Sequence, residues 1–164
     1  MPFLGTEPKS VPSGVPVLFE RRDRPRSARL LSAIEELARL WGEPRTLREV
    51  AESARRVEER AVELEALIAS RSERGELRRA LEALRRRSAE RLIEEMRARA
   101  SSRRLRLLPR DEEVARFLAE ERPELAELYD DSPWEACERI SVETGYAPIV
   151  VAWSLRLLDE LGLR

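Results

Sequence analysis

The sequence predicts an all-α protein that combines a long helical hairpin with a small helical C-terminal domain containing a helix-turn-helix. Charged residues make up 38% of the chain and aromatic residues only 5%, a composition typical of helices with solvated faces. Apolar residues recur at steps of three and four over much of the chain, which indicates amphipathic helices. Two capping boxes, at Thr46 and Ser132, mark places where helices begin.

Residues 1–26 are predicted to form an extended, proline-rich arm. This segment holds five of the ten prolines, and proline cannot continue a helix. The only apolar cluster of the arm, Val15 to Phe19, is a candidate extended strand that lies against the body or against a protein partner. A loosely ordered terminus is the plainer alternative.

Residues 27–102 are predicted to form the helical hairpin region. Ser27 can cap a first helix, which carries an apolar stripe and which Gly42 closes. The box Thr46-Leu47-Arg48-Glu49 starts a second helix, in which apolar residues from Leu47 to Ile68 follow an a/d heptad pattern. A third helix has the stripe Leu77, Leu81, Leu84, Ser88, Leu92, Ile93 and Met96.

Gly75 is the predicted bend of the hairpin, and one straight helix across Gly75 is the competing interpretation. Either form leaves much of the coiled-coil-like seam exposed unless another surface covers it. The sequence therefore predicts a homo-oligomer, most simply a dimer, that buries the seam between subunits.

A basic connector, residues 103–110, leads into an acidic helical domain, residues 111–164. Asp111 is predicted to cap a helix that runs to about Glu121, and Pro123 to start another short helix. The box Ser132-Pro133-Trp134-Glu135 places proline at the first position of a further helix. Glycines and prolines set the remaining bounds: Gly145 ends that helix, the turn 144–148 follows, and a last helix runs from Ile149 to about Leu161, where Gly162 closes it.

The last two predicted helices resemble the helix-turn-helix of winged-helix regulators of the MarR and ArsR type, without the β-wing. The resemblance covers about thirty residues and rests on Ile140, Ser141, Gly145, Pro148, Val151, Leu155, Leu158 and Leu161-Gly162-Leu163. It implies a shared core between the two helices and a second helix in the position of a DNA reader. The N-terminal end of that helix, however, offers mainly apolar side chains where the family carries polar and basic ones.

The apolar residues Ile149, Val150 and Trp153 are therefore candidates for a protein-docking face. A protein partner is expected along residues 149–158 and through the arm, residues 1–26. The alternative is that the short helices at 111–129 cover these side chains within the same chain.

Charge is strongly segregated although the net charge is −1. Residues 71–110 hold 14 Arg against 6 Glu, whereas residues 111–164 hold 5 Arg against 14 Asp plus Glu. The asymmetry predicts either contact with a polyanion or pairing between the two segments. Residues 97–110 form a basic stretch that contains no acidic residue. Its arginines are the candidate contacts to the backbone of double-stranded DNA, namely Arg97, Arg99, Arg103, Arg104, Arg106 and Arg110.

The sequence does not favour an enzyme. It has no histidine and a single cysteine, Cys137, which removes zinc sites and Ser/His or Cys/His catalytic pairs. The acidic pairs Glu49-x-x-Glu52 and Glu127-x-x-Asp130 match a metal motif only by letters, so no metal and no cofactor are expected. The chain shows no candidate membrane span, and a cytoplasmic location is predicted.

Arginine supplies nearly all of the basic residues. This bias reflects either a GC-rich genome or the ion-pair networks that stabilise thermophilic proteins at high temperature, and neither alternative indicates a function. The functional expectation is a DNA-associated, non-enzymatic protein in a transcription, replication or packaging assembly. The alternative is an adaptor or assembly subunit that makes no contact with nucleic acid.

Overall fold

The computed structural model describes residues 27–164, which form seven helices and no strand. The all-α prediction is thereby confirmed for this part of the chain, and the predicted arm, residues 1–26, lies outside it. No helix among these residues has the length and apolar character needed to cross a bilayer. The helices are α1 Ala28–Trp41, α2 Leu47–Ala66, α3 Arg71–Ser102, α4 Pro109–Glu120, α5 Glu124–Asp131, α6 Pro133–Thr144 and α7 Pro148–Glu160.

The first three helices pack around one buried cluster. Ser27 caps α1 as predicted, since its Oγ accepts a hydrogen bond of 3.0 Å from the Leu30 amide. Gly42 ends α1 with a φ of +67°, a backbone conformation that favours glycine. The cluster combines apolar residues of α1, α2 and the first half of α3, so α1 covers the stripes of its two neighbours.

This packing removes the reason for which self-association was predicted. The apolar seam residues of α2 and of α3 are buried within a single chain, and α1 packs against both helices. A homo-oligomer therefore stays a prediction, but an uncovered seam no longer supports it.

The break between α2 and α3 lies at residues 67–70 rather than at the predicted bend, Gly75. Ser70 is the N-cap of α3, and its Oγ accepts from the Glu73 amide at 3.3 Å. Gly75 lies inside α3, in open space. A serine cap that satisfies a free helix amide stabilises a helix start by about 1 kcal/mol, which is enough to offset the cost of about the same size for one glycine inside a helix.

The second half of α3 packs with α4 to α7 in another buried cluster. The start of α4 differs from the prediction, because Asp111 is not the cap but the third residue of the helix. Its carboxylate accepts from the Leu108 amide at 3.0 Å and from the buried Ser154 hydroxyl at 2.7 Å. The same side chain therefore fixes both the first turn of α4 and the packing of α7.

The connection between α6 and α7 is short and follows the predicted turn. Ser132 stands at the N-cap position of α6, but its side chain makes no capping hydrogen bond. Gly145 ends α6 in the left-handed conformation, with a φ of +85°. The last helix begins at Pro148, one residue earlier than predicted.

The C-terminal residues tie the two clusters together. The backbone amides of Leu47 and Arg48 donate to the carbonyls of Leu163 and Arg164, at 2.9 and 2.8 Å. These carbonyls satisfy amides of the first turn of α2 that have no partner within the helix. Leu163 is fully buried, so the chain after α7 is an integral part of the core.

Candidate functional site

Three of the six candidate DNA-contacting arginines form hydrogen bonds within the described chain. Arg97 binds Glu112 of α4 through two hydrogen bonds, of 3.0 and 2.6 Å. Arg99 pairs with Glu95 at 2.8 Å and donates to the Leu161 carbonyl at 2.7 Å, and Arg103 donates to the Glu160 carbonyl.

These contacts stabilise the charged form of Glu112 and bind free carbonyls at the C-terminal end of α7. The hydrogen bonds from Arg97 hold the pKa of the Glu112 carboxyl below its usual range. Arg99 and Arg103 bring positive charge and donors to the C-terminal end of α7, whose last carbonyls have no partner within the helix. The basic stretch therefore serves in part to fasten α7 to the end of α3.

Arg104 and Arg106 differ from these three. Both side chains are exposed in the turn between α3 and α4, and neither forms an ion pair with any residue of 27–164. Arg104 adopts a φ of +58°, the only positive value at a non-glycine residue of the described chain. Within residues 27–164, no carboxylate neutralises and no carbonyl binds these two arginines of the predicted DNA-contacting stretch.

Arg110, the sixth candidate, belongs to a different surface. Its guanidinium carbon lies 5.5 Å from the centroid of the Trp153 ring, within the range of a cation–π contact. Its Nε is buried without a hydrogen-bond acceptor in the described chain. Arg110 thus joins α4 to the predicted docking face on α7.

The predicted docking residues on α7 are only partly covered by the rest of the described chain. Ile149 and Trp153 are 51% and 50% exposed, and Val150 is partly buried. The opposite side of α7 is fully buried through Val151, Ser154, Leu155 and Leu158. The helices α4 and α5 therefore leave about half of the Ile149 side chain and half of the Trp153 side chain open to solvent. These two residues lie one helical turn apart and form an apolar surface on a helix that its buried side holds in place. We call Ile149, Trp153 and Arg110 the tryptophan patch.

Two exposed residues of α6 were not singled out from the sequence. Val142 is 84% exposed and Trp134 is 57% exposed. Helical periodicity would have identified Val142, because it falls outside the buried stripe of Ala136, Cys137 and Ile140. Trp134 lies in the first turn of the helix, where periodicity is a weaker guide.

Tyr146, in the turn between α6 and α7, adds a polar contact to this region. Its hydroxyl donates to a Glu113 carboxylate oxygen on α4, and this hydrogen bond raises the pKa of the Tyr146 phenol. Glu113 therefore already has a partner, and the neighbouring Arg110 has no ion pair with it.

Comparisons with models of protein families, with curated proteins and with solved structures find no match to this chain.

Proposed function

We propose that this protein is an adaptor or assembly subunit that binds another protein through the tryptophan patch. The observation that carries the proposal is the half exposure of Ile149 and Trp153 on a helix whose other face is fully buried. Contiguous apolar patches rimmed by polar residues mark interaction surfaces more often than apolar side chains exposed singly. Tryptophan and arginine are also the residue types that most often dominate binding energy.

The position of Arg110 indicates the chemistry of the partner. Arg110 lies in the first turn of α4, where the helix dipole disfavours a positive charge. It has no ion pair among residues 27–164, and its Nε lacks an acceptor. A carboxylate from the partner would supply the missing acceptor and charge. We therefore expect an amphipathic protein segment that presents an apolar side chain close to an Asp or a Glu.

The resemblance of α6 and α7 to a helix-turn-helix fits this proposal. In winged-helix regulators the second helix meets its ligand with its N-terminal half, and here that half carries Ile149 and Trp153. Apolar side chains do not match the hydrogen-bonding pattern of base edges, but they suit a protein surface. The helix would thus keep a contact role with a different kind of ligand.

Site-directed photo-crosslinking in the cells that make the protein tests the proposal. A photoreactive residue at position 149 should yield one discrete adduct with another protein, and the same residue at the exposed position 87 of α3 should not. The adduct should be lost in the variants Trp153→Ala and Arg110→Gln. The crosslinked peptide should contain an acidic residue beside an apolar one.

Affinity for the captured partner then gives the magnitude. Truncation of a central tryptophan costs about 2 kcal/mol or more, so Trp153→Ala should weaken binding by roughly 30-fold. Equal crosslinking from positions 149 and 87, or an affinity that Trp153→Ala leaves unchanged, would refute the proposal.

Contact with the DNA backbone is the second candidate function, favoured by Arg104 and Arg106, which are exposed and have no ion pair with any residue of 27–164. Such binding would be independent of sequence, and log K would fall with log salt by about 0.9 for each phosphate neutralised. Fluorescence anisotropy with mixed-sequence duplexes should show a shallower slope for Arg104→Ser/Arg106→Ser than for the parent. No binding by the parent at about 50 mM salt would eliminate this candidate.

A further inference from the structure

A charged cavity lies between the α1–α2 connection and the outer face of α3. It has a volume of about 370 Å³ and is lined by Glu43, Arg45, Arg91, Glu95 and Arg99. All five lining residues are charged, so the cavity suits a polar, ionic ligand rather than an apolar one. It is also distinct from the tryptophan patch, with which it shares no residue.

One wall of this cavity is held in place by the rest of the fold. Arg99 donates through Nε to Glu95 and through Nη1 to the Leu161 carbonyl, at 2.8 and 2.7 Å. A Cβ at position 162 would lie 3.2 Å from the same Nη1, so the Arg99 guanidinium packs closely against Gly162. Because its partners fix it on two sides, Arg99 gives the cavity a preformed positive group.

The remaining charges leave an excess of arginine. Glu95 already has Arg99 as its partner. Arg45 and Arg91 form no ion pair with any residue of 27–164, and Glu43 is the remaining carboxylate of the lining. The Arg45 backbone is held by a 2.8 Å hydrogen bond from its amide to Glu49. Two unpaired guanidinium groups therefore lie beside a third that is fixed.

We infer that this cavity binds an oxyanion of the phosphate type through Arg45, Arg91 and Arg99. A guanidinium group binds phosphate with two parallel N–H donors, and such charge-assisted hydrogen bonds are about twice as strong as neutral ones. Arg45 and Arg91 would bind in this way, whereas Arg99, whose Nε and Nη1 already donate to Glu95 and to the Leu161 carbonyl, would contribute positive charge and its Nη2 donor. The nearby N-terminus of α2 does not provide the site, because the Leu163 and Arg164 carbonyls occupy its first amides. Arginine side chains must therefore supply the donors.

Calorimetric titration of the full chain with inorganic phosphate and pyrophosphate, in a low-salt buffer free of phosphate, tests the inference. The parent should bind one equivalent. Arg45→Gln and Arg91→Gln should each weaken binding by about tenfold or more, since each removes a charge-assisted hydrogen bond. Glu43→Gln should strengthen binding, because it removes the unpaired negative charge from the lining.

The matched control is Arg79→Gln, an exposed arginine of the same helix that lies outside the cavity and about 18 Å before Arg91. This change alters the net charge by the same amount. When the titrations are repeated at an ionic strength of about 0.1 M, where charges are screened over about 10 Å, it should leave the affinity within about twofold. A parent that shows no saturable binding at millimolar ligand, or an Arg79→Gln variant that loses as much affinity as Arg91→Gln, would overturn the inference. Circular dichroism of each variant confirms that it folds.

Competition with a short mixed-sequence duplex distinguishes the source of the phosphate group. If the cavity takes free oxyanions, the duplex leaves pyrophosphate binding unchanged. If the cavity takes a phosphate of a nucleic-acid backbone, the duplex displaces pyrophosphate from the parent but not from Arg91→Gln. Both results support an oxyanion site. If the duplex displaces pyrophosphate equally from the parent and from Arg91→Gln, the oxyanion site is contradicted.

Discussion

A buried hydrogen bond between Trp41 and Ser88 offers a sharp test of how α1 is fixed on α3. The indole Nε1 donates to the Ser88 Oγ at 2.7 Å, and Trp41 is 3% exposed. Ser88→Ala would leave the indole N–H buried without an acceptor, which costs about 1–3 kcal/mol. For a chain of this size each kcal/mol lowers Tm by about 2–4 °C, so the variant should melt several degrees below the parent.

A double-mutant cycle with Trp41→Phe isolates the hydrogen bond from the loss of packing. Once the indole N–H is gone, Ser88→Ala should cost less than about 0.5 kcal/mol. Urea unfolding followed by far-UV circular dichroism at 25 °C measures all four free energies without relying on tryptophan fluorescence. An equal cost of Ser88→Ala in both backgrounds would show that the serine does not act through Trp41.

Three further outcomes follow from local features. Gly145→Ala should destabilise the fold by about 1–2 kcal/mol because of the positive φ at this position. Gly75→Ala should instead stabilise the fold by up to about 1 kcal/mol, because this helical site has open space for a methyl group. Thermal melts of the two variants measure both effects. Cys137, whose thiol pKa is raised by burial, should react with a disulfide reagent only as fast as the protein unfolds. The hydrogen bond from Arg164 lowers the pKa of the Asp130 carboxyl below its ordinary value of 3.8. The stabilisation by this contact is therefore fully present above pH 3.8 and is lost as the pH falls below that value. In Asp130→Asn, Tm should fall less steeply with acid in this range.

Several helix starts and ends that depend on local chemistry were predictable from the sequence, although Ser132 makes no capping hydrogen bond and Asp111 is not the cap of α4. Ser27, Thr46 and Gly42 act as the sequence indicated, because a cap involves residues at most four apart. The break at 67–70 was missed for a local reason as well. Ser70, followed by Glu73 three residues later, matches the sequence pattern of a capping box. The bend was nevertheless predicted at Gly75.

What covers the apolar seam was not predictable in this way. The stripes of α2 and α3 look the same whether a partner subunit or α1 covers them, since periodicity shows which face is buried but not against what. Ser88 is an example. A serine in this apolar stripe is explained by the hydrogen bond that it accepts from Trp41, which is 47 residues away in the sequence.

The charge segregation also has an outcome that the sequence left open. One arginine of the basic segment, Arg97, pairs with Glu112 of the acidic domain, whereas the pair between Arg116 and Glu90 joins the two segments with the signs reversed. Ion pairs of this exposed kind contribute little stability individually. The Arg97–Glu112 pair does, however, reduce the positive potential that a polyanion would meet at this end of α3.

The contacts of Arg99 and Arg103 decide how the DNA question can be tested. Both guanidinium groups donate to carbonyls at the end of α7, so removing them weakens the attachment of this helix end, although buried side chains still hold α7 in the core. A variant without Arg99 and Arg103 would change the surface charge and the end of α7 together, so a lower DNA affinity in that variant would not identify which change is responsible. Arg104 and Arg106 make no such contact with residues 27–164, and their replacement alters the surface charge alone. If Arg104→Ser/Arg106→Ser keeps the parent Tm and the crosslink at position 149 but loses DNA affinity, the two surfaces act independently. If it loses the crosslink as well, the turn between α3 and α4 belongs to the docking surface.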